Sequence, residues 1–600
     1  MHLTSLDFFI IIFFFLTVLI IGIIVSKKSG ASTTEYFLSG RNLPWWLLGF
    51  SMVATTFAAD TPLFVADVVR TDGVSGNWVW WTFLLTGMLT VFIYAKLWRK
   101  SGVTTDIEFY ELRYSGKPAM FLRGFRAVYL GLFFNVLVMS AVTLAAIKIG
   151  GIMLGVKPWE VVVYAGIITV IFSAIGGFRG VIYTDFLLFI IAMIGAVVAA
   201  YYAVNLPEVG GLTNLISHEA VVGKLSILPD LNNIDLVITL LIIPLAVQWW
   251  STWYPGAEPG GGGYIAQRML AAKNERHAIG ATFFFNILHY ALRPWPWILV
   301  ALASLIVFPD IQSLQTAFPQ IEAHKLGHDL AYPAMLNFLP KGLLGLVLAS
   351  LIAAYMSTIS THLNWGASYL VNDFYKRFVK PKASEKELVA VGRMSTVLLM
   401  IFSAILALFF QNAKQVFDVI ILFGAGTGLL FIFRWFWWRI NAWSEITAMI
   451  SSGVISILLE KNSQILFGSN GFLPSWSKFP LVVLLTTVLW LLVTYLTKPE
   501  RKETLQHFYV TTQPGGIGWK KIIDEAALEG ISIHKPKETN NFPKAILAII
   551  ISTLLVYSTL FATGHWIYGN ISIALLFSFI VIVCVYFLTK LWKHLKGAIV

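Results

Sequence analysis

The sequence predicts an all-α integral membrane protein, on three observations: long apolar runs, a one-sided distribution of basic residues, and spans interrupted in their middle. Of 600 residues, 57% are hydrophobic and 12% charged, with a mean hydropathy of +0.76. A soluble core cannot hide that much apolar chain. A bilayer crossing takes about 20 apolar residues, and about fifteen stretches reach or approach that length. They are 6–26, 44–69, 77–98, 121–152, 158–177, 182–204, 236–254, 278–308, 340–372, 387–410, 415–434, 442–459, 478–497, 544–564 and 571–592. These runs are too long for strands.

The net charge of +12 invites a nucleic-acid reading, which its placement removes. With the N-terminus outside, about 32 Lys and Arg fall in or beside cytoplasmic loops, about 8 beside outside loops and about 3 within spans. Lys27, Lys28, Arg41, Arg123, Arg126, Arg268, Lys273, Lys376, Arg377, Lys380 and the basic tail 590–596 then lie inside. The lipid bilayer is the partner this charge pattern serves, with the C-terminus cytoplasmic; the expected location is a plasma membrane, a bacterial inner membrane first. Oligomeric state leaves no mark in the sequence.

Taken in order, the first run lacks a basic leader and a small-residue cleavage site, so it reads as a retained span. The second holds Thr55, Thr56, Asp60, Thr61 and Pro62 in close succession. The seventh ends in WWSTWYPGAEPGGGG, where prolines and the run Gly260 to Gly263 cannot sustain a regular helix. Broken helices at membrane depth are tolerated where they line a cavity. Two breaks five spans apart point to inverted five-helix repeats with a binding site at the breaks. The glycine run has no following Lys-Ser/Thr and no preceding strand, which argues against a phosphate loop and for a hinge or tight packing. The ninth run carries Ala354, Ser357, Thr358, Ser360 and Thr361, a ladder of small oxygen-bearing residues without charge. Such a surface inside hydrocarbon suits a desolvated alkali cation, Na+, although Ser and Thr also back-bond to their own helix. The loop 498–544 mixes turn residues with one amphipathic pattern and reads as a small cap or a passive linker. Cys584, the single cysteine, gives no lead. Metal-ligand spacing, nucleophile motifs and paired catalytic carboxylates are missing, so an enzyme is not expected.

Four stretches resemble the sodium:solute symporter family, which includes sodium-coupled sugar, proline and sialic acid transporters. They are YFLSGRNLPWW (Tyr36 to Trp46), GGFRGVIYTDF (Gly176 to Phe186), YIAQRMLAAKN (Tyr264 to Asn274) and ASLIAAYMSTISTHLNWGASYLVNDFYKR (Ala349 to Arg377). The resemblance implies a LeuT-type inverted five-helix repeat core, with one extra N-terminal and about four extra C-terminal helices. The corresponding divisions are 1–43 (first helix and loop), 44–440 (ten-helix core) and 441–600 (C-terminal helices with loop 498–544). Carried onto this sequence, the family's principal sodium site falls on the carbonyls of Ala54, Phe57 and Ala354 and the hydroxyls of Ser357 and Thr358. A second sodium site of some relatives falls on Asp185, Ser357, Ser360 and Thr361. Asp185 is also open to a structural pairing with Arg179 or a basic loop, or to a gating role.

In sugar-transporting relatives the solute is held by polar side chains of the core helices. Their glutamine position is Thr61 here, their glutamate Trp80, a serine Phe83, and the basic residue of core helix 7 His289. That polar set is not retained. What stands in its place is aromatic: Trp78, Trp80, Trp81, Trp249, Trp250 and Trp253, with Gln248, Asp60, Thr61 and His289 as hydrogen-bonding candidates. Flat rings and a few directional polar groups suit a sugar or polyol, while Trp also gathers at membrane interfaces. Asp60 could bind solute or cation or cap the resumed helix. Arg293 could pair with a solute carboxylate, with Asp60 or with a carbonyl. The expected function is sodium-driven symport of a small polar solute, a sugar or polyol first. The alternatives are an amino acid or carboxylate carrier driven by sodium or protons, with Asp185 or Asp60 as proton site, and a membrane sensor that retains the fold.

Overall fold

The computed structural model describes residues 4–26, 32–56, 58–252, 258–319, 321, 325–410, 420–468, 471–530 and 542–595. Those residues fold almost wholly into helices: α1 (Ser5–Ser26), α2 (Trp45–Thr55), α3 (Asp60–Asp72), α4 (Val74–Ser101), α5 (Gly116–Met153), α6 (Pro158–Val204), α7 (Ile234–Ala246), α8 (Gly263–Ala271), α9 (Glu275–Val307), α10 (Leu343–Val379), α11 (Glu385–Ala407), α12 (Gly428–Phe433), α13 (Ala442–Lys461), α14 (Ser475–Leu496), α15 (Lys502–Thr512), α16 (Lys520–Leu528), α17 (Phe542–Ile567) and α18 (Ile571–Leu595). Eleven described helices are long and apolar enough to cross a membrane, and the bent pair α2 and α3 makes a twelfth.

The sequence count is higher for local reasons. Runs 158–177 and 182–204 form one helical run, α6, turned at Gly177, where φ is +54. Glycine adopts that left-handed geometry without strain, so the chain changes direction without a loop. Its first leg, Pro158–Ile171, and the helix Ile234–Ala246 are apolar but short of a crossing, and half-helices need not span alone. Run 415–434 lies partly outside the described residues.

Both interruptions are present. α2 ends at Thr55 and α3 restarts at Asp60, the two axes meeting at 58°. Pro62 sits in the first turn of α3, where its missing N–H costs nothing. At the second, α7 gives way to a 3-10 turn, Gln248–Trp250, and helix resumes at Gly263. Gly260 and Gly261 have φ of +88 and +86, and a Cβ on Gly260 would lie 2.8 Å from the Tyr94 ring. The Trp98 Nε1 donates to Gly260 O at 2.8 Å, and Gly263 N donates to Asp106 Oδ2 at 2.8 Å, satisfying the first turn of α8. The glycine run is a tight backbone crossing. Leu43 bridges to α8 through Leu43 N to Ala271 O (3.2 Å) and Lys273 N to Leu43 O (3.0 Å), tying the two broken elements together at the basic end.

Around these, α6 runs along α10, and α2 packs on both α9 and α6. The basic end is sewn by ion pairs: Arg123 to Asp373 (2.8 Å) and Glu111 (2.7 Å), Arg377 to Glu111 (2.8 Å), and Arg434 to Glu258 (3.1 Å) and Glu445 (3.5 Å), with Arg126 on the other oxygen of Glu258. α15 and α16 form the small cap, docked through Trp519 Nε1 to Trp435 O (2.8 Å) and through Arg113 over the Phe508 and Trp519 rings.

Candidate sodium and solute site

The first break meets α10 at Thr55, whose carbonyl accepts the Thr358 Oγ1 hydrogen bond at 2.8 Å. This carbonyl is free for such a bond because the helix stops there. Ala54, Ala354, Ser357 and Thr358 are all buried. Ser357 Oγ donates to Asp185 Oδ1 at 2.7 Å, and Ser51 donates to the other oxygen, Oδ2. Ser51 and Thr55, one helical turn apart, share one face of α2, Ser51 toward Asp185 and Thr55 toward α10. Thr361 Oγ1 lies 3.0 Å from Thr55 Oγ1. Phe57 lies outside the described residues.

The partner of Asp185 is Arg268 of α8, Nη2 to Oδ2 at 3.6 Å, and not Arg179, which lies over the Tyr183 ring. The same guanidinium donates to Thr361 Oγ1 (2.8 Å), Ser51 Oγ (3.0 Å) and Thr55 Oγ1 (3.3 Å). Asp185 and Thr361 therefore face a cation supplied by the chain, and Ser357 reaches it only through Asp185. Ser360 turns back, its Oγ donating to Ser357 O at 3.1 Å, the helix-internal use open to any Ser.

Beyond Thr55, the solute candidates separate into two groups. Thr56, His289, Trp80, Tyr290 and Arg293 cluster at the first break, near the start of α3 where Asp60 and Thr61 are half-buried. His289 Nδ1 lies 3.1 Å from Thr56 Oγ1, and Trp80 meets the His289 ring edge-on while stacking on Tyr290. Trp80 Nε1 is held by Asn77 Oδ1 at 2.8 Å. At the second break, Gln248 Nε2 donates to Val79 O at 2.8 Å. Trp249 packs on Trp250, and the Trp250 carbonyl presses on the Gly428 backbone of α12. Trp250 also borders the cluster of Ala425, Val482 and Val483, on the side of the C-terminal helices. Trp78 packs on Tyr557 and Phe561 of α17. Trp253 lies outside the described residues.

The sequence profile of the sodium:solute symporter family matches residues 36–452. The chain belongs to the sodium:solute symporter family. Among similar proteins are the sodium/glucose cotransporter of Vibrio parahaemolyticus, 26% identical over 72% of this chain and 80% of that protein, and the human sodium/myo-inositol cotransporter 2, 25% identical over 85% and 78%. A solved Na+-coupled sialic acid symporter in a substrate-bound, outward-open state superposes with a TM-score of 0.65, covering 83% of this chain and 99% of its own at 20% identity. The fold is the LeuT type. These symporters are transporters and not enzymes, and sodium is the coupling ion.

The sequence does not single out Ser51, marks Thr55 and Thr56 only as part of a break, and shows Arg268 only as a charge on the inner side. Arg268 was visible as a charge inside YIAQRMLAAKN, four residues after Tyr264 on one face of α8. Its target was not visible, since Asp185 is 83 positions away in another helix.

Proposed function

We propose that this symporter couples sodium entry to uptake of a small polar solute, a sugar or polyol, by alternating access within the ten-helix core 44–440. Sodium is held by the carbonyls of Ala54, Phe57 and Ala354 and the hydroxyls of Ser357 and Thr358. The observation that carries this is the 2.8 Å bond from Thr358 Oγ1 to Thr55 O. It puts a hydroxyl of α10 against the open carbonyl end of α2, where a bare cation exchanges water for protein oxygen at little reorganisation cost. Asp185 belongs to a gate in this reading. Arg268 already supplies positive charge to Asp185 and Thr361, so a second sodium ion enters only when that guanidinium withdraws. Solute sits at the first break against Thr56, Trp80 and His289, beside Asp60 and Thr61, while Gln248, Trp249 and Trp250 belong to the second break. The N-terminus faces outside and the basic end the cytoplasm, following the charge bias. One charge crossing the membrane contributes about 2.3 kcal/mol per 100 mV, enough to concentrate solute many-fold.

The test is uptake into proteoliposomes of labelled solutes drawn from sugars, polyols, amino acids and carboxylates, with an inward sodium gradient. Sodium-dependent accumulation that is lost in Ser357→Ala and Thr358→Ala supports the reading. Accumulation driven by a proton gradient without sodium, or binding without accumulation, rejects it.

A further inference from the structure

Arg293, in core helix α9, is the exception among the buried arginines of the described residues. Arg434 and Arg126 share Glu258, and Arg268 faces Asp185. Arg70 donates to Phe308 O (2.7 Å) and Ser304 O (2.9 Å), and Arg113 to Arg434 O (2.8 Å) and Trp437 O (3.0 Å). Arg293 is 1% exposed and has neither a carboxylate within ion-pair distance nor a carbonyl within hydrogen-bond distance. Its two contacts are long: Nη1 to Thr56 Oγ1 and Nη2 to His289 Nε2, each 3.4 Å. Its Nε has no hydrogen-bond partner, and the guanidinium plane rests over the Trp297 ring at 5.2 Å. Asp60 lies beyond the 4.0 Å of an ion pair with it, although its charge acts on Arg293 from farther off. A buried guanidinium at membrane depth is costly until a planar anion takes its fork of donors. This one borders the first helix break, among the residues that would line the solute.

We propose that Arg293 anchors a carboxylate on the solute, so that the cargo is a hydroxylated acid of the sugar-acid kind. This rests on the solute position given under Proposed function and narrows its class. The carboxylate takes the Nε and Nη2 edge, where one donor is unused and the other is held only at 3.4 Å. The hydroxyls face Thr56 and His289, and a C–H face lies on Trp80. A neutral sugar in the same place leaves the guanidinium unpaired, which is what makes the site selective.

The test is sodium-driven uptake in proteoliposomes of matched pairs, D-glucuronate with D-glucose and D-gluconate with D-glucitol, by the full chain, by Arg293→Gln, Arg293→Lys and Asp60→Asn, and by the double variant of Asp60→Asn with Arg293→Gln. Thermal melts of each variant with and without sodium report folding separately. The expected result is uptake of an acid at least tenfold over its neutral partner. Arg293→Gln abolishes that preference, and Arg293→Lys keeps part of it, because an ammonium retains charge without the fork. Sodium-driven uptake of the neutral partner with Arg293→Gln indifferent overturns the carboxylate and leaves the symporter intact. So does an acid preference that survives Arg293→Gln. If Asp60→Asn and Arg293→Gln destabilise alike, the double variant is no worse than either, and acid preference is untouched, Asp60 is the arginine's partner and the proposal falls. Loss of sodium dependence for every compound strikes the symporter reading instead.

Discussion

Two regions of this bundle handle buried charge in opposite ways. At the basic end, Arg126, Glu258, Arg434 and Glu445 form a chain in which each guanidinium meets a carboxylate, and Tyr114 adds a hydroxyl to Glu445 at 2.5 Å. At the first helix break, Thr56, His289 and Arg293 touch through bonds of 3.1 to 3.4 Å. The ion-paired region ties α5, the chain just after α12, the second break and α13 together. At the first break the arginine has no carboxylate at ion-pair distance, while Thr56 also donates to Met52 O and Val53 O at 3.0 Å. An ion pair inside the bundle builds structure, and in the reading proposed above an arginine without one at membrane depth is a place for a ligand.

The comparison breaks most sharply at Glu258. Glu258→Gln leaves Arg126 and Arg434 facing a neutral amide, and removing one partner of a buried ion pair costs about 3–5 kcal/mol. A large fall in the detergent-solubilised melting temperature is expected; an unchanged melt would mean that the network is ornamental. Next comes Thr358→Ala. Loss of one hydroxyl to a bound ion is worth about 1.5–3 kcal/mol, so the sodium concentration for half-maximal uptake should rise roughly 10- to 150-fold with little change in the melt. A third contrast sets Trp80→Ala against Trp78→Ala. The first should raise the solute KM by roughly tenfold, within the range for an aromatic contact of about 0.5–1.5 kcal/mol. The second, packed on α17, should lower the melt and leave KM alone. If the two variants behave alike, the first break is not where solute stacks.

The smallest effect is a pH dependence at the basic end. Burial pushes the Glu111 carboxyl up, but hydrogen bonds and charge from Arg377 and Arg123 outweigh it and hold the group below the ordinary glutamate range. A depressed carboxyl contributes stability that is present above its unfolded value, about 4.3, and is lost as pH falls through the folded value. Glu111 and Arg377 are partly exposed, so the contribution is under about 1 kcal/mol. Melts of Glu111→Gln and the parent should therefore differ slightly at pH 7 and converge as pH drops below about 4. A gap that widens toward acid would refute the sign.

Much of the fold was legible in the sequence because lipid imposes few choices. Thr55, Thr56 and Pro62 announced a break, and so did the glycines at 260–263, since a membrane span advertises any residue that cannot continue its hydrogen bonds. The span count was less legible, because Gly177 bends α6 without leaving a loop signal and the half-helix Ile234–Ala246 is too short to cross. Ser357 and Thr358 stood out as hydroxyls in hydrocarbon. Arg268 and Arg293 did not declare their roles, because a lone arginine reads the same whether its partner is a carboxylate, a carbonyl or a solute.

By itself the sequence determined that the chain lives in a bilayer, where its helices run and break, and which face carries oxygen without charge. Those properties are local, set by the length of apolar runs and by residues that do or do not sustain a helix. Only the tertiary structure decided that Thr358 reaches the end of α2, that Arg268 fills the space beside Asp185, and that Arg293 has no carboxylate at ion-pair distance. Hydrogen bonds in a low-dielectric interior are settled by distance among side chains hundreds of positions apart, and no local pattern records that distance.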